Sequence, residues 1–274
     1  MGNKIPARFF ITTFSFSWLL WGIAIFLGRG NSQDIVYTSS GIIMPLMLLG
    51  GFGPAIGAFI SLRSLEGKGA IKNYCKKFLS LKFGRKVWLS IFLVLGLSYF
   101  IAWIIPEFFG KERIPSFLPN YYIFPIYLLL MVFFGGGQEE IGWRGYILQF
   151  LEKKYGLIVG SLILGIIWSI WHLPLWFIPG TSQTYMNFLA FTLMTIGYSY
   201  FFSWLIEVSE NRLFSGLVAH GAANGFAAVF PTLIMEKGAI QIRFWLYSII
   251  TIIVGIIIVL IRTNKNRKSR YSIS

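Results

Sequence analysis

Charge is what this chain of 274 residues has least of. Only 12% of its residues are Asp, Glu, Lys or Arg, against about 25% in an ordinary soluble domain. Acidic residues are the scarcer kind, ten Asp+Glu against 24 Lys+Arg. The chain is 56% hydrophobic and 18% aromatic, with a mean hydropathy of +0.69. These figures exclude a soluble globular enzyme, a disordered chain and a coiled coil. So much apolar surface cannot be hidden from water by folding, so lipid is the solvent for most of the chain. A single cysteine, Cys75, excludes an internal disulfide framework and a cysteine-based zinc site. Histidine occurs twice, at His172 and His220. No internal repeat and no second domain is visible, so residues 1–274 read as one polytopic membrane domain.

What is there is a series of apolar runs. A span needs about 20 mainly apolar residues to cross roughly 30 Å of hydrocarbon. Eight stretches qualify: 9–27, 41–62, 87–105, 121–151, 157–177, 186–206, 214–234 and 244–261. The fourth is overlong and should tilt or protrude. The first is long enough to span and no small-residue cleavage pattern follows it, so it reads as a span and not as a cleaved signal. With the N-terminus in the cytoplasm, the inner segments hold 18 Lys and Arg and the outer ones five. That bias predicts cytoplasmic termini and an even number of spans. It also accounts for the formal net charge of +14, so nucleic-acid binding need not be invoked. The expected fold is therefore an all-α integral membrane protein of about eight transmembrane helices. The Ile-, Asn- and Lys-rich style suits a prokaryote, which would place it in the cell (inner) membrane.

The basic connector 63–86 carries a pattern of its own. Ile71, Tyr74, Cys75, Phe78 and Leu79 recur at i, i+3, i+4, i+7 and i+8, with Lys72, Lys76 and Lys77 off that face. This predicts an amphipathic helix lying on the anionic inner leaflet between spans two and three.

Few ionisable groups lie within the apolar runs: Glu139, Glu140, Arg144, His172 and His220. A charge at the centre of a span costs about 2.5–3.5 kcal/mol on insertion scales, so such groups mark functional sites. Glu140 and Arg144 stand at i, i+4 and can pair. Glu139 lies about 100° around the helix and can point elsewhere. His220 and Asn224 are also i, i+4, so both can face one cavity. His172 precedes Leu173-Pro174, where a helix should end or kink. Counted from the connector 152–156, Glu139 lies about 18 Å and His172 about 24 Å along their helices. The two can therefore approach one another in depth. Gly135-Gly136-Gly137 before the glutamates reads as close packing or local backbone freedom. Such a set suits hydrolysis. A glutamate or histidine can deprotonate water, Arg144 can hold a carboxylate in place, and His220 with Asn224 can donate to a developing oxyanion. The same groups could instead hold Zn2+ through Glu139, His172 and His220, and the residues alone do not choose.

Three short patterns carry a resemblance. Glu139-Glu140-Ile-Gly-Trp-Arg144 resembles the EExxxR motif of the CPBP family, the CAAX-protease and bacteriocin-processing intramembrane proteases. Trp168-Ser-Ile-Trp-His172 resembles that family's FxxxH motif with Trp in place of the usual Phe. His220-Gly-Ala-Ala-Asn224 resembles its HxxxN motif. The order and the spread over three successive helical regions agree, with a catalytic core at about 121–234. The resemblance implies that Glu139 and His172 activate water and that His220 and Asn224 form the oxyanion hole. It leaves Glu140 and Arg144 as supporting partners. The resemblance calls for no definite cofactor, and Zn2+ stands as the alternative. The implied partners are the bilayer and a peptide or lipidated protein substrate, cut near the cytoplasmic side. Two other readings use the same residues: a non-catalytic immunity or scaffold protein that binds a peptide partner, and an ion-coupled transporter. The absence of repeat symmetry speaks against the last.

Overall fold

The structure is a computed structural model that describes residues 5–29, 41–67 and 69–271, with backbone alone at 265–271. Lys4, Lys68 and the side chains of Lys265, Arg267, Lys268 and Arg270, counted above among the basic residues, lie outside the described residues. Among the described residues every regular element is helical and there is no strand. We number the helices α1 (Ala7–Gly28), α2 (Ile43–Gly50), α3 (Gly53–Glu66), α4 (Ala70–Lys76) and α5 (Gly84–Phe109). Then follow α6 (Phe124–Phe133), α7 (140–155), α8 (Leu157–Trp171), α9 (Phe188–Val208), α10 (Phe214–Val229) and α11 (Ile242–Tyr271).

Among the described residues, six helical stretches are long and apolar enough to cross a membrane, or seven if α2 and α3, bent by 44° at Gly51-Phe52, count as one span. The protein is a multi-pass membrane protein. Its outward faces are apolar, as lipid contact requires: Leu19 and Phe26 on α1, Ile126 and Leu129 on α6, and Ile256 and Leu260 on α11 are all exposed. The expected seventh span, 214–234, is helical only over the 16 residues of α10, about 24 Å long by the helical rise. Its sequence, rich in Gly, Ala and Ser, suits burial among other helices more than a lipid-facing position.

Small residues set the helix spacing. Without a hydrophobic drive between helices in lipid, close backbone approach supplies the packing energy. A Cβ on Gly53 would meet Ser17 Oγ at 2.0 Å, and one on Gly57 would meet Thr13 Oγ1 at 2.2 Å, so α3 lies directly on α1. Ser17 Oγ and Trp21 Nε1 donate to the Gly50 and Met47 carbonyls and fix α2 beside them. At the other side of the bundle, a Cβ on Gly197 would meet the Thr251 carbonyl at 2.4 Å, and Gly255 faces the same spot. There α9 and α11 cross backbone to backbone.

The long apolar stretch 121–155 is broken. After α6 the chain leaves the helix at Phe134–Gly136, passes through one 3-10 turn (Gly137–Glu139) and re-enters helix at Glu140. Helix α7 itself contains a π-helical turn, Trp143–Ile147. Such turns are frequent at functional sites. The connector helix α4 is only seven residues long, shorter than the predicted amphipathic face. It buries Tyr74, whose hydroxyl donates to the Ile141 carbonyl just before the π turn. Burial pushes the Tyr74 phenol well up, so it stays protonated and remains a donor.

Candidate active site

The break in 121–155 starts a helix inside the protein. Glu139 and Glu140 stand at the N-terminal end of α7, where the unpaired N–H groups carry partial positive charge. Gly136 makes this geometry available in two ways. Its φ of +124° is one that side-chain-bearing residues rarely adopt. A Cβ there would also fall 2.5 Å from His220 Nε2 and 2.6 Å from Asn224 Nδ2. Glycine at this position lets the broken segment touch α10. Gly221 does the same from the other side, against Val132.

His172 caps the C-terminal end of α8, which stops where a 3-10 turn, Leu173–Phe177 with Pro174 near its start, takes over. Its Nδ1 is 2.8 Å from the Trp168 carbonyl. A carbonyl only accepts, so Nδ1 carries the hydrogen and Nε2 is the basic nitrogen of the neutral ring. Nε2 lies 3.9 Å from Glu139 Oε1, and the other carboxylate oxygen, Oε2, accepts from Trp168 Nε1 at 2.8 Å. Glu140 uses a single oxygen for two partners. Oε1 accepts from Arg144 Nη1 at 2.8 Å and lies 3.0 Å from His220 Nδ1. The two adjacent glutamates therefore divide their work, Glu139 with the α8 pair and Glu140 with Arg144 and α10. Asn224 donates one amide hydrogen to the Gly135 carbonyl and keeps a second.

Trp168 ties these parts together, a role its sequence did not reveal beyond a place near the site. The Arg144 guanidinium stacks 4.4 Å from the centre of its ring, and the His220 ring meets it edge-on at 5.1 Å. With its Nε1 on Glu139 and its carbonyl on His172, it touches members of all three motifs. The available signal was spacing: position 168 is one turn before His172 and so shares its face. Three tyrosines were also missed. Tyr99, Tyr198 and Tyr247 are buried with their hydroxyls linked in a row, Tyr198 standing between the other two.

Glu139, His172, His220 and Asn224 all line one cavity of about 420 Å3. Glu140 and Arg144 are buried behind it, with side chains fully inaccessible. Most of the remaining lining is apolar. Among the described residues no three His, Cys, Asp or Glu side chains are arranged to hold a metal ion. Glu139, His172 and His220 form no such group: Nδ1 of each ring faces a protein acceptor and Glu139 Oε2 accepts from Trp168, which leaves Nε2 of both rings and Glu139 Oε1 without such a bond.

The stretch that carries these residues is similar to known proteins. Residues 121–226 match the family model of type II CAAX prenyl endopeptidase Rce1-like proteins. That stretch contains all three motifs. A protein of Methanococcus maripaludis named CAAX prenyl protease 2 is 25% identical over 251 residues, covering 86% of this chain and 90% of the relative. A Staphylococcus haemolyticus protein named lysostaphin resistance protein A is 29% identical over 136 residues, which is 48% of this chain and 33% of that longer protein. Residues 121–226 are thus similar to the Rce1-like domain of the type II CAAX prenyl endopeptidases, and these likenesses support a membrane-embedded peptidase.

Proposed function

We propose that this peptidase hydrolyses a peptide bond of a membrane-associated substrate with water activated by Glu139 and His172. The observation that carries the reading is the 3.9 Å between His172 Nε2 and Glu139 Oε1 at a cavity wall. That gap is too long for a direct hydrogen bond and fits one water held by both at about 2.8 Å. Glu139 takes a proton from the water, and the hydroxide adds to the scissile carbonyl carbon. The carbonyl oxygen becomes an oxyanion that His220 Nε2–H and the free Asn224 N–H receive. Collapse breaks the C–N bond, and the proton on Glu139 passes to the departing amine. Glu140 and Arg144 act as positioning residues. An ionised Glu140 on Nδ1 stabilises the doubly protonated ring that makes Nε2 a donor. No step is routed through a metal.

The topology belongs to the same reading: one domain with its catalytic core at about 121–234, eight membrane-crossing segments including the short α10, and both termini in the cytoplasm. Helix α4 lies at the inner leaflet, and the membrane is the cell (inner) membrane. The substrate is a peptide, whether lipidated like a CAAX tail or of the bacteriocin type. The test is cleavage of a panel of prenylated and unprenylated peptides by purified protein. Glu139→Gln is expected to lower kcat at least about a thousandfold while the protein stays folded, and a chelator is expected to change nothing. Full activity in that variant sinks the mechanism. The relative named for lysostaphin resistance favours one second reading, a non-catalytic immunity or scaffold protein that binds a peptide in this cavity. Under it, Glu139→Gln with His172→Ala would still protect cells.

A further inference from the structure

The helices place the described connectors between spans at one of two ends of the bundle. At one end, Gly28 packs on Pro179, the Phe117 N–H and Ser116 hydroxyl bond the Ala228 carbonyl, and Arg243 donates to the Glu112 carbonyl. This end gathers the connectors 110–120, 178–187 and 230–241. At the other end, Arg262 pairs with Glu207, and Gly160 packs on Glu152. It gathers the connectors 152–156 and 209–213 with the C-terminal end of α11, and α4 lies under α7 on that side.

The cavity belongs to the first end. Phe117, Thr181, Gln183, Thr232 and Met235 line it together with the catalytic groups. Among the described residues, nothing from 63–86, 152–156 or 209–213 does. Four strongly exposed aromatic residues stand at this end, Phe108, Phe109, Tyr121 and Tyr122. Aromatic residues of this kind mark a membrane–water interface. Basic residues are distributed the other way. The connectors at the closed end carry most of the Lys and Arg, whereas the open end carries Arg29, Lys111, Arg113 and Lys237, with Arg243 just inside α11. Short basic connectors stay in the cytoplasm. The lining is informative about the occupant as well. Five of the seven methionines face the cavity: Met47, Met131, Met186, Met194 and Met235. Glu139 is the one Asp, Glu, Lys or Arg in the lining. A charged side chain of a substrate would find no partner there other than the catalytic Glu139, whereas methionine walls adapt to varied apolar shapes.

We propose that the cavity opens on the non-cytoplasmic face and takes the outward-facing, uncharged, apolar segment of an exported or membrane-inserted peptide. This rests on the hydrolytic reading above for the fate of that segment, and on the basic-residue bias for the side. It moves the cut away from the cytoplasmic side that the motifs and basic connectors suggested when read without the fold.

The test uses the native Cys75, exposed on α4, as a marker of the closed end. Gln183→Cys, in the cavity mouth, and Lys237→Cys, in an outer connector, are each made in a Cys75→Ser background. Right-side-out and inverted membrane vesicles are treated with a membrane-impermeant maleimide. Positions 183 and 237 should label at least about fivefold faster in right-side-out vesicles, and Cys75 in the wild type at least about fivefold faster in inverted ones. The reverse pattern overturns the proposal. A membrane-anchored reporter with a Met/Leu-rich segment displayed on either side supplies the second arm. Cleavage of the outer display alone is expected. Cleavage of the inner display alone overturns the assignment of side and leaves the hydrolytic mechanism standing. Equal cleavage by wild type and Glu139→Gln overturns the mechanism and leaves the labelling result to decide the side.

Discussion

At the scale of single residues, the site depends on one indole and one missing methyl group. The Trp168 Nε1–H is the direct hydrogen-bond donor to Glu139 Oε2. A hydrogen bond to a charged group contributes about 1.5–3 kcal/mol. Trp168→Phe keeps an aromatic ring under Arg144 and removes that donor alone. We expect kcat to fall about tenfold to a hundredfold with KM little changed, read by steady-state cleavage of one good peptide. An unchanged kcat would show that Glu139 is held by other means. Gly136 is constrained more severely, because strain in φ and collision with His220 and Asn224 act together there. Gly136→Ala should remove at least about 99% of activity while the helical circular dichroism remains. The conservative partner Gly135→Ala is not a clean control, since a Cβ there meets Met131 Sδ at 2.3 Å.

At the scale of elements, α7 is held from behind. Tyr74 on α4 donates to the Ile141 carbonyl, and Gly145 gives the tyrosine room: a Cβ at 145 would meet its hydroxyl at 2.3 Å. A π turn interrupts the regular i→i−4 ladder, so the carbonyls around it need outside partners. Tyr74→Phe leaves a buried carbonyl unpaired, at a cost of about 1–3 kcal/mol. A Tm lower by a few degrees in detergent is expected, and Gly145→Ala should produce at least as large a loss. Equal melting of Tyr74→Phe and wild type would show that α4 is a passive connector. The amphipathic spacing over 71–79 did single out Tyr74 and Phe78, but a periodicity does not say against what a face is buried. Here Tyr74 and Phe78 pack under α7 at Gly145, while Cys75 and Leu79 stay exposed.

At the scale of the whole molecule, packing rests on glycine contacts between helices that lie far apart in sequence. Gly197 and Gly255 let α9 and α11 meet backbone to backbone. Gly197→Val should separate them, with loss of folded protein on extraction into mild detergent, measured as a monodisperse fraction by size exclusion. Much of the arrangement was legible because lipid makes charge conspicuous. Glu139, Glu140, Arg144, His172, His220 and Asn224 stood out against apolar runs, and the structure brings all six to one cavity or directly behind it. Two features were not legible. Hydropathy runs unchanged through Phe134, so the break in 121–155 left no trace except three glycines, which have many uses. The Gly- and Ala-rich composition of α10 read as a full span, whereas 16 residues of it form helix. Composition reports that a segment avoids water, not whether lipid or protein surrounds it.

The pairing of Glu140 with Arg144 has a consequence for how the protein is made. His220, the other partner of Glu140, is synthesised 80 residues later. Until then the segment with its three charged side chains stands in the membrane without its partner on α10. An i, i+4 ion pair needs no neighbour, so the emerging helix can present two of its three charges as one compact, nearly neutral unit. Only Glu139 must wait for Trp168, which arrives on the very next helix. The order of the motifs along the chain is thus also an order in which the cost of each charge can be met during insertion.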